Sequence, residues 1–201
     1  MTKLTPEDVT HHIKVFNKTG KRWIIKPKNL RKLYQGGVRD FTGVNLSKVD
    51  LTGATLSKAN LDNADLSWTN LTDANLFCAN LTNANLFHAT LPQTNLAYAT
   101  LINANLFFAY LFTTNLHETD LTNITMDWDS RELIGERLRQ AAEGDFHKIG
   151  LAGAIVQNPQ YCWAWWIEHT PPDLKQWALE TMRIWIKPGD DLPKEFKELL
   201  S

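Results

Sequence analysis

A leucine recurs at every fifth residue from Leu46 to Leu121, sixteen in unbroken phase, and Phe41 and Met126 hold the same position on either side. The residue two before each centre is nearly always small, as at Ala54, Ala59, Ala64, Ala74, Ala79, Ala84, Ala89, Ala99, Ala104 and Ala109. The other positions are mainly polar, with Asn or Asp before the leucine and Ser, Thr, Asn or Lys after it. In extended chain, residues two apart share a face, so each Leu and its Ala point the same way. A helical stripe would need apolar spacings of three and four. A fixed period over about 18 units is a repeat architecture. One Leu and one Ala per unit can be buried only if the chain bends regularly and stacks on itself. The pattern predicts a solenoid with a narrow Leu/Ala interior.

The repeat resembles that of the pentapeptide-repeat proteins, whose motif is A(D/N)LXX, and the resemblance spans residues 41–126. It implies a mainly β fold: a right-handed quadrilateral β-helix of about 4.5 coils, a rod roughly 20 Å tall. Four pentapeptides per coil would stack residues 20 apart. The position before each Leu then forms columns such as Asn45-Asp65-Asn85-Asn105 and Asp40-Asn60-Asn80-Thr100-Asp120. No two acids are neighbours in these columns, and stacked Asn side chains can hydrogen-bond along them. Asn63-Asn83-Asn103-Asn123 is expected to be a further ladder.

One column departs from this polarity: Lys48, Trp68, His88, Phe108 and Trp128, with Phe87 and Phe107 beside it. Outward aromatics gathered on one side mark a binding surface, and Trp68, Phe87, His88, Phe107, Phe108 and Trp128 are the candidate contacts. The competing readings are cover by the chain's own C-terminal helices and self-association. The opposite column, Lys58, Cys78, Tyr98 and Glu118, is mixed and predicts little.

The flanks lack the five-residue phase, giving a cap over 1–39, the β-helix over 40–128 and a Trp-rich helical module over 129–201. Thr5-Pro6-Glu7-Asp8 reads as a helix start. Ile13 to Ile25 reads as two short strands around a turn at Asn17-Lys18-Thr19-Gly20. Asn29 to Gln35 predicts one or two helical turns stopped by Gly36-Gly37. Such a cap would shield the open edge of the first coil. After Trp128, helices are predicted from Arg131 to about Glu143 with Ser130 as N-cap, and from Asp145 through Val156. Others are expected over Tyr161–His169, from about Asp173 to Ile186, and from Leu192 to Leu200.

A formal net charge of −1 hides an asymmetry. Residues 1–39 carry ten Lys/Arg against Glu7 and Asp8, whereas 40–126 carry two lysines against seven acids. The basic excess at Lys14, Lys18, Lys21, Arg22, Lys26, Lys28, Arg31 and Lys32 is a candidate contact for nucleic acid or an acidic protein. A solvated cap is the plainer reading, since aromatic interleaving is limited, as at Trp23 and Tyr34.

Little in the chain reads as chemistry. The six histidines (His11, His12, His88, His117, His147, His169) show no metal-ligand spacing. Cys78 and Cys162 lie far apart, so neither a disulfide framework nor a metal pair is expected. GxSxG, Walker A and GxGxxG motifs are missing. No cofactor, metal or catalytic residue is expected, nor a membrane span or secretory leader, and the expected setting is cytoplasmic. The leading expectation is a non-enzymatic protein-binding scaffold or adaptor, with homo-oligomerisation possible. Some pentapeptide-repeat proteins, including the quinolone-resistance group, mimic B-form DNA and bind gyrase. The resemblance therefore implies, as the alternative, a DNA-mimic modulator of a DNA-handling enzyme such as gyrase. Mimicry needs dense carboxylate rows, which the Asn- and Thr-rich ladders lack. The third reading is nucleic-acid binding through residues 1–39.

Overall fold

Each pentapeptide folds as one tight turn. The leucine carbonyl accepts the N–H three residues on, at 3.2 Å for Leu46–Val49 and 2.9 Å for Leu51–Ala54. The residue two after each leucine is left-handed, with φ of 53–60° at every non-glycine from Lys48 to Asn123. Positive φ at the third position defines a type II turn. The residue before the leucine sets up that turn. Its side-chain oxygen accepts the N–H two residues on, as from Ser47 to Asn45 (2.9 Å), Thr72 to Asn70 (3.1 Å) and Thr122 to Asp120 (3.0 Å). A Ser or Thr there adds its hydroxyl to the same oxygen, at 2.8 Å for Ser47 and 2.6 Å for Thr122. The polar residues of the motif therefore have a local structural task.

The computed structural model describes residues 6–127, 130–146, 148, 152, 155, 168–185 and 197, without the side chains of 13–17, 131 and 132. The chain divides into two compact units, Met1–Met126 and Asp127–Ser201. In the first, coils stack in parallel with partners 20 residues apart, as in Asp40↔Asn60↔Asn80↔Thr100↔Asp120 and Asn45↔Asp65↔Asn85↔Asn105↔Thr125. The leucines from Leu46 to Leu121 are 0–5% exposed and form the interior. Thr69, Thr94 and Thr119 replace the small residue yet are buried. Their hydroxyls donate to the carbonyls of Leu46, Leu71 and Leu96 at 2.8, 2.7 and 2.9 Å, so burial leaves no hydroxyl unpaired.

The amide ladders form between coils, with Asn80 donating to Asn60 at 2.9 Å and Asn105 to Asn85 at 3.1 Å. The corner column differs in one rung. Asn103 donates to Asn83 at 3.2 Å, but Asn83 reaches Asp62 at 3.2 Å rather than Asn63.

The N-terminal cap corrects the sequence reading. Helix α1 runs Pro6–Thr19, so no hairpin forms over 13–25. Gly20, with φ +68°, follows the helix as its left-handed terminator rather than shaping a strand turn. Strand β1, Trp23–Ile24, pairs in parallel with β2, Val44–Asn45, and extends one face of the first coil. The Trp23 indole donates to Thr42 O at 2.9 Å, which ties β1 down. Helix α2 runs Pro27–Gln35, with Pro27 in its first turn. Its end is a Schellman arrangement: Val38 N–H to Leu33 O at 3.0 Å, with Gly37 at φ +93°. The Tyr34 hydroxyl donates to Ser57 O at 2.8 Å, fixing α2 to the first coil.

In the second unit, α3 runs Arg131–Ala141 and α4 runs Pro172–Arg183. Leu133, Ile134 and Leu138 are fully buried. Ser130 occupies the N-cap position of α3, but its hydroxyl donates to Asp127 at 3.1 Å instead of serving as a cap acceptor. Asp145 accepts Lys148 N–H at 3.2 Å, the geometry of a helix N-cap. Arg137 lies 4.1 Å over the Trp185 ring, and burial pulls its pKa down to about 10. The aromatic stretch 161–167 and most of the last predicted helix lie outside the described residues.

Candidate functional site: an aromatic edge

One coil of rise is about 4.8 Å, which is also the separation at which rings stack. Side chains at the same position in successive coils can therefore lie ring on ring. Trp68 and His88 do so, with centroids 4.0 Å apart and planes at 15°. His88 continues to Phe108 at 5.0 Å and 32°. Phe87 packs edge-on against both Trp68 (6.1 Å) and His88 (4.5 Å), and Phe107 lies 4.4 Å from Phe108. Five of the six sequence candidates thus form one cluster; Trp128 lies outside the described residues. Trp68 is 53% and Phe108 52% exposed, whereas Phe87, His88 and Phe107 are half-buried.

Backbone conformation sharpens the point. Trp68, His88 and Phe108 sit at φ of 59, 54 and 57°, where glycine and asparagine are the natural occupants. The rings are held there against local preference, and stacking returns roughly 0.5–1.5 kcal/mol per pair.

The opposite edge holds more than the sequence reading found. Tyr98, 51% exposed, packs edge-on against Phe77 at 5.6 Å and His117 at 5.4 Å. The signal was available: Phe77 and His117 belong to the column next to Tyr98 and read as polar-face exceptions only when the two columns are taken together. Tyr110 and Phe112, 55% and 49% exposed, stack at 6.3 Å on a third side.

The basic candidates are distributed over α1, the segment after it and α2. Lys18 and Lys21 are exposed near the end of α1, and Lys14 lies in α1 with its side chain outside the description. Lys26 precedes α2. Arg22 is tied to the rod by a 3.3 Å bond to Asn63 O. Lys28, Arg31 and Lys32 line a cavity of about 390 Å³ between α2 and the first coil. Among the described residues no three or more His, Cys, Asp or Glu gather as a metal site. Cys78 is partly exposed and unbridged. No described helix is long and apolar enough to cross a membrane.

Eight copies of the pentapeptide-repeat model match residues 40–76 and 79–117. The repeat segment belongs to the pentapeptide-repeat family. The right-handed β-helix expected of that family has its counterpart here in coils of four turns stacked in parallel, 20 residues apart. The chain is similar to the pentapeptide repeat protein Rfr23 of the cyanobacterium Cyanothece 51142, at 45% identity and a TM-score of 0.44. That match covers 44% of this chain and 60% of the other, so this chain spans less than two thirds of its relative. A pentapeptide repeat protein from the Arabidopsis thaliana thylakoid lumen matches at 29% identity and a TM-score of 0.41, covering 51% of this chain and 79% of the other. HetL, a pentapeptide repeat protein involved in heterocyst differentiation regulation in Nostoc sp. strain PCC 7120, matches at 31% identity and a TM-score of 0.32. That match covers 50% of this chain and 44% of HetL. No curated protein is a match for this chain.

Proposed function

We propose that this chain is a non-enzymatic protein-binding scaffold of the cytoplasm, with the aromatic edge as its docking face for a partner protein. The observation that carries the reading is the five-ring cluster of Trp68, Phe87, His88, Phe107 and Phe108. The rod folds with Asn at the equivalent corner of another face, so nothing in the turn calls for rings. Large aromatics on a rigid support supply binding anchors at low entropic cost. DNA mimicry toward a gyrase-like enzyme is the weaker reading. Asp40, Asp50 and Asp65 each accept hydrogen bonds within their own turn, and their column neighbours in the next coil are Asn. Rows of carboxylates at phosphate spacing are not what these columns offer.

The test is a pull-down from a lysate of the source organism, comparing the intact protein with a Trp68→Ala/Phe108→Ala form by mass spectrometry. A protein enriched by the first and lost by the second, at matched thermal stability, is the expected result. An identical catch from both forms would remove the docking role from this edge. Sedimentation of both forms separates self-association from a foreign partner.

A further inference from the structure

Helix α2 sets its charges against its own preferences. Lys28, Arg31, Lys32 and Gln35 recur at the spacing of one helical stripe, beside the buried Leu30, Leu33 and Tyr34. The helix carries no acid, so its cations repel one another across a turn instead of pairing with carboxylates. Lys28 also stands in the first turn, where the helix dipole disfavours a cation. All three are exposed, and none makes an ion pair among the described residues. A solvated helix face would ordinarily mix the two signs.

The same stripe lines the cavity of about 390 Å³ between α2 and the first coil. Leu51, Ala54 and Leu56 of the coil give it an aliphatic wall, to which Leu30 adds from α2. Asp50 is the single acid of the lining. It is already engaged within its own turn, by the Thr52 hydroxyl at 2.6 Å and the Thr52 N–H at 3.0 Å. The Gln35 amide and the Thr55 hydroxyl also belong to the lining and have no hydrogen-bond partner among the described residues. The volume lies near the low end for small-ligand clefts, about 300–1,000 Å³. The lining has no aromatic ring on which a flat ligand could stack.

From this juxtaposition we infer a small-molecule site: the cavity takes a single-chain acyl carboxylate, with its hydrocarbon tail against Leu30, Leu51, Ala54 and Leu56 and its head group at Lys28, Arg31 and Lys32. Burial of the tail supplies the affinity, and the unpaired cations select the sign of the head group. Gln35 and Thr55 can each donate a hydrogen bond to the carboxylate. The site is separate from the aromatic edge and stands or falls independently of it.

The probe is decanoate, titrated calorimetrically into the protein alongside decyltrimethylammonium and butyrate. Decanoate should bind below millimolar, and Arg31→Gln/Lys32→Gln should weaken it at least about fivefold. Decyltrimethylammonium keeps the tail and reverses the head, whereas butyrate keeps the head and shortens the tail. Each should bind at least about tenfold more weakly than decanoate. Thr55→Tyr should obstruct the tail at matched thermal stability, since Tyr110 already occupies the equivalent place before a leucine. Methyl NMR signals of Leu30, Leu51 and Leu56 should shift with decanoate, while the ring signals of Trp68 and Phe108 stay in place. Absence of decanoate binding at millimolar concentration, equal binding of the cationic amphiphile or of butyrate, or unmoved leucine methyls would each overturn the site. Ring shifts at Trp68 and Phe108 without leucine shifts would overturn it too, by moving the ligand to the aromatic edge.

Discussion

Two corners of the rod have the same backbone and opposite surfaces. At one, Asn63, Asn83, Asn103 and Asn123 take φ of 55–58°; at the other, Lys48, Trp68, His88 and Phe108 take 54–60°. Asparagine enters the left-handed region readily, whereas a bulky side chain does so at about 1–2 kcal/mol. The asparagine corner is what the turn itself would select. The aromatic corner is tolerated by the turn, and its rings recover part of the cost by stacking on one another. Buried Leu and Ala positions therefore report the fold, and the left-handed corner positions report the surface built on it.

Both corners rest on one interior, so the largest effect should come from there. Leu86 is fully buried, directly before Phe87 and His88. Leu86→Asp should destabilise the rod by at least ~4 kcal/mol, because an unpaired charge has no place in so thin a core. Retention of the native circular dichroism would mean that the corners do not share this support. The next effect probes the corner rule itself. Asn83→Phe puts a ring at the polar corner and removes the acceptor of the Asn103 amide. A loss of ~1–2 kcal/mol in urea unfolding is expected, and no loss would show that backbone preference is not what separates the two corners.

The comparison also marks what the sequence makes legible. The period of five announces the turn, and the small residue two before each leucine announces which side is buried. Stacking by 20 and the Asn and Asp columns follow from the family resemblance and reappear as bridges and amide bonds. The cap was read wrongly for a physical reason. Asn17-Lys18-Thr19-Gly20 suits a hairpin and a helix end equally, since both use a left-handed glycine. Only the run back to Pro6 decides between them. The second strand expected before Ile25 is present as the two residues of β1, but it pairs in parallel with the first coil and not with a preceding strand. At the site, the column of Trp68, His88 and Phe108 was visible once the resemblance supplied stacking by 20, but Tyr98 with Phe77 and His117 was not, because it needs two columns read together.

A smaller effect belongs to an interior position that touches neither corner. Thr94 is fully buried, and its hydroxyl donates to Leu71 O at 2.7 Å. Thr94→Val keeps the shape and deletes that bond, for an expected loss of ~1 kcal/mol. Leu71 O still accepts Ala74 N–H at 2.9 Å, which limits the damage. A change in the aromatic face's partner capture in this variant would tie that face to the interior rather than to its own rings.

The smallest change in stability should come from the substitution that changes the surface most. Trp68→Asn gives the aromatic corner the residue its backbone prefers. It recovers about 1 kcal/mol of left-handed strain and forfeits the stack on His88 and the edge contact with Phe87, together about 1–2 kcal/mol. The two nearly cancel, so urea unfolding should move by no more than about 1 kcal/mol. Capture of the partner should nevertheless be lost, because the exposed half of the indole has no substitute in Asn. A loss of stability above about 3 kcal/mol with capture intact would reverse the assignment: the rings would then be an external clamp between coils, and the surface would have to bind elsewhere.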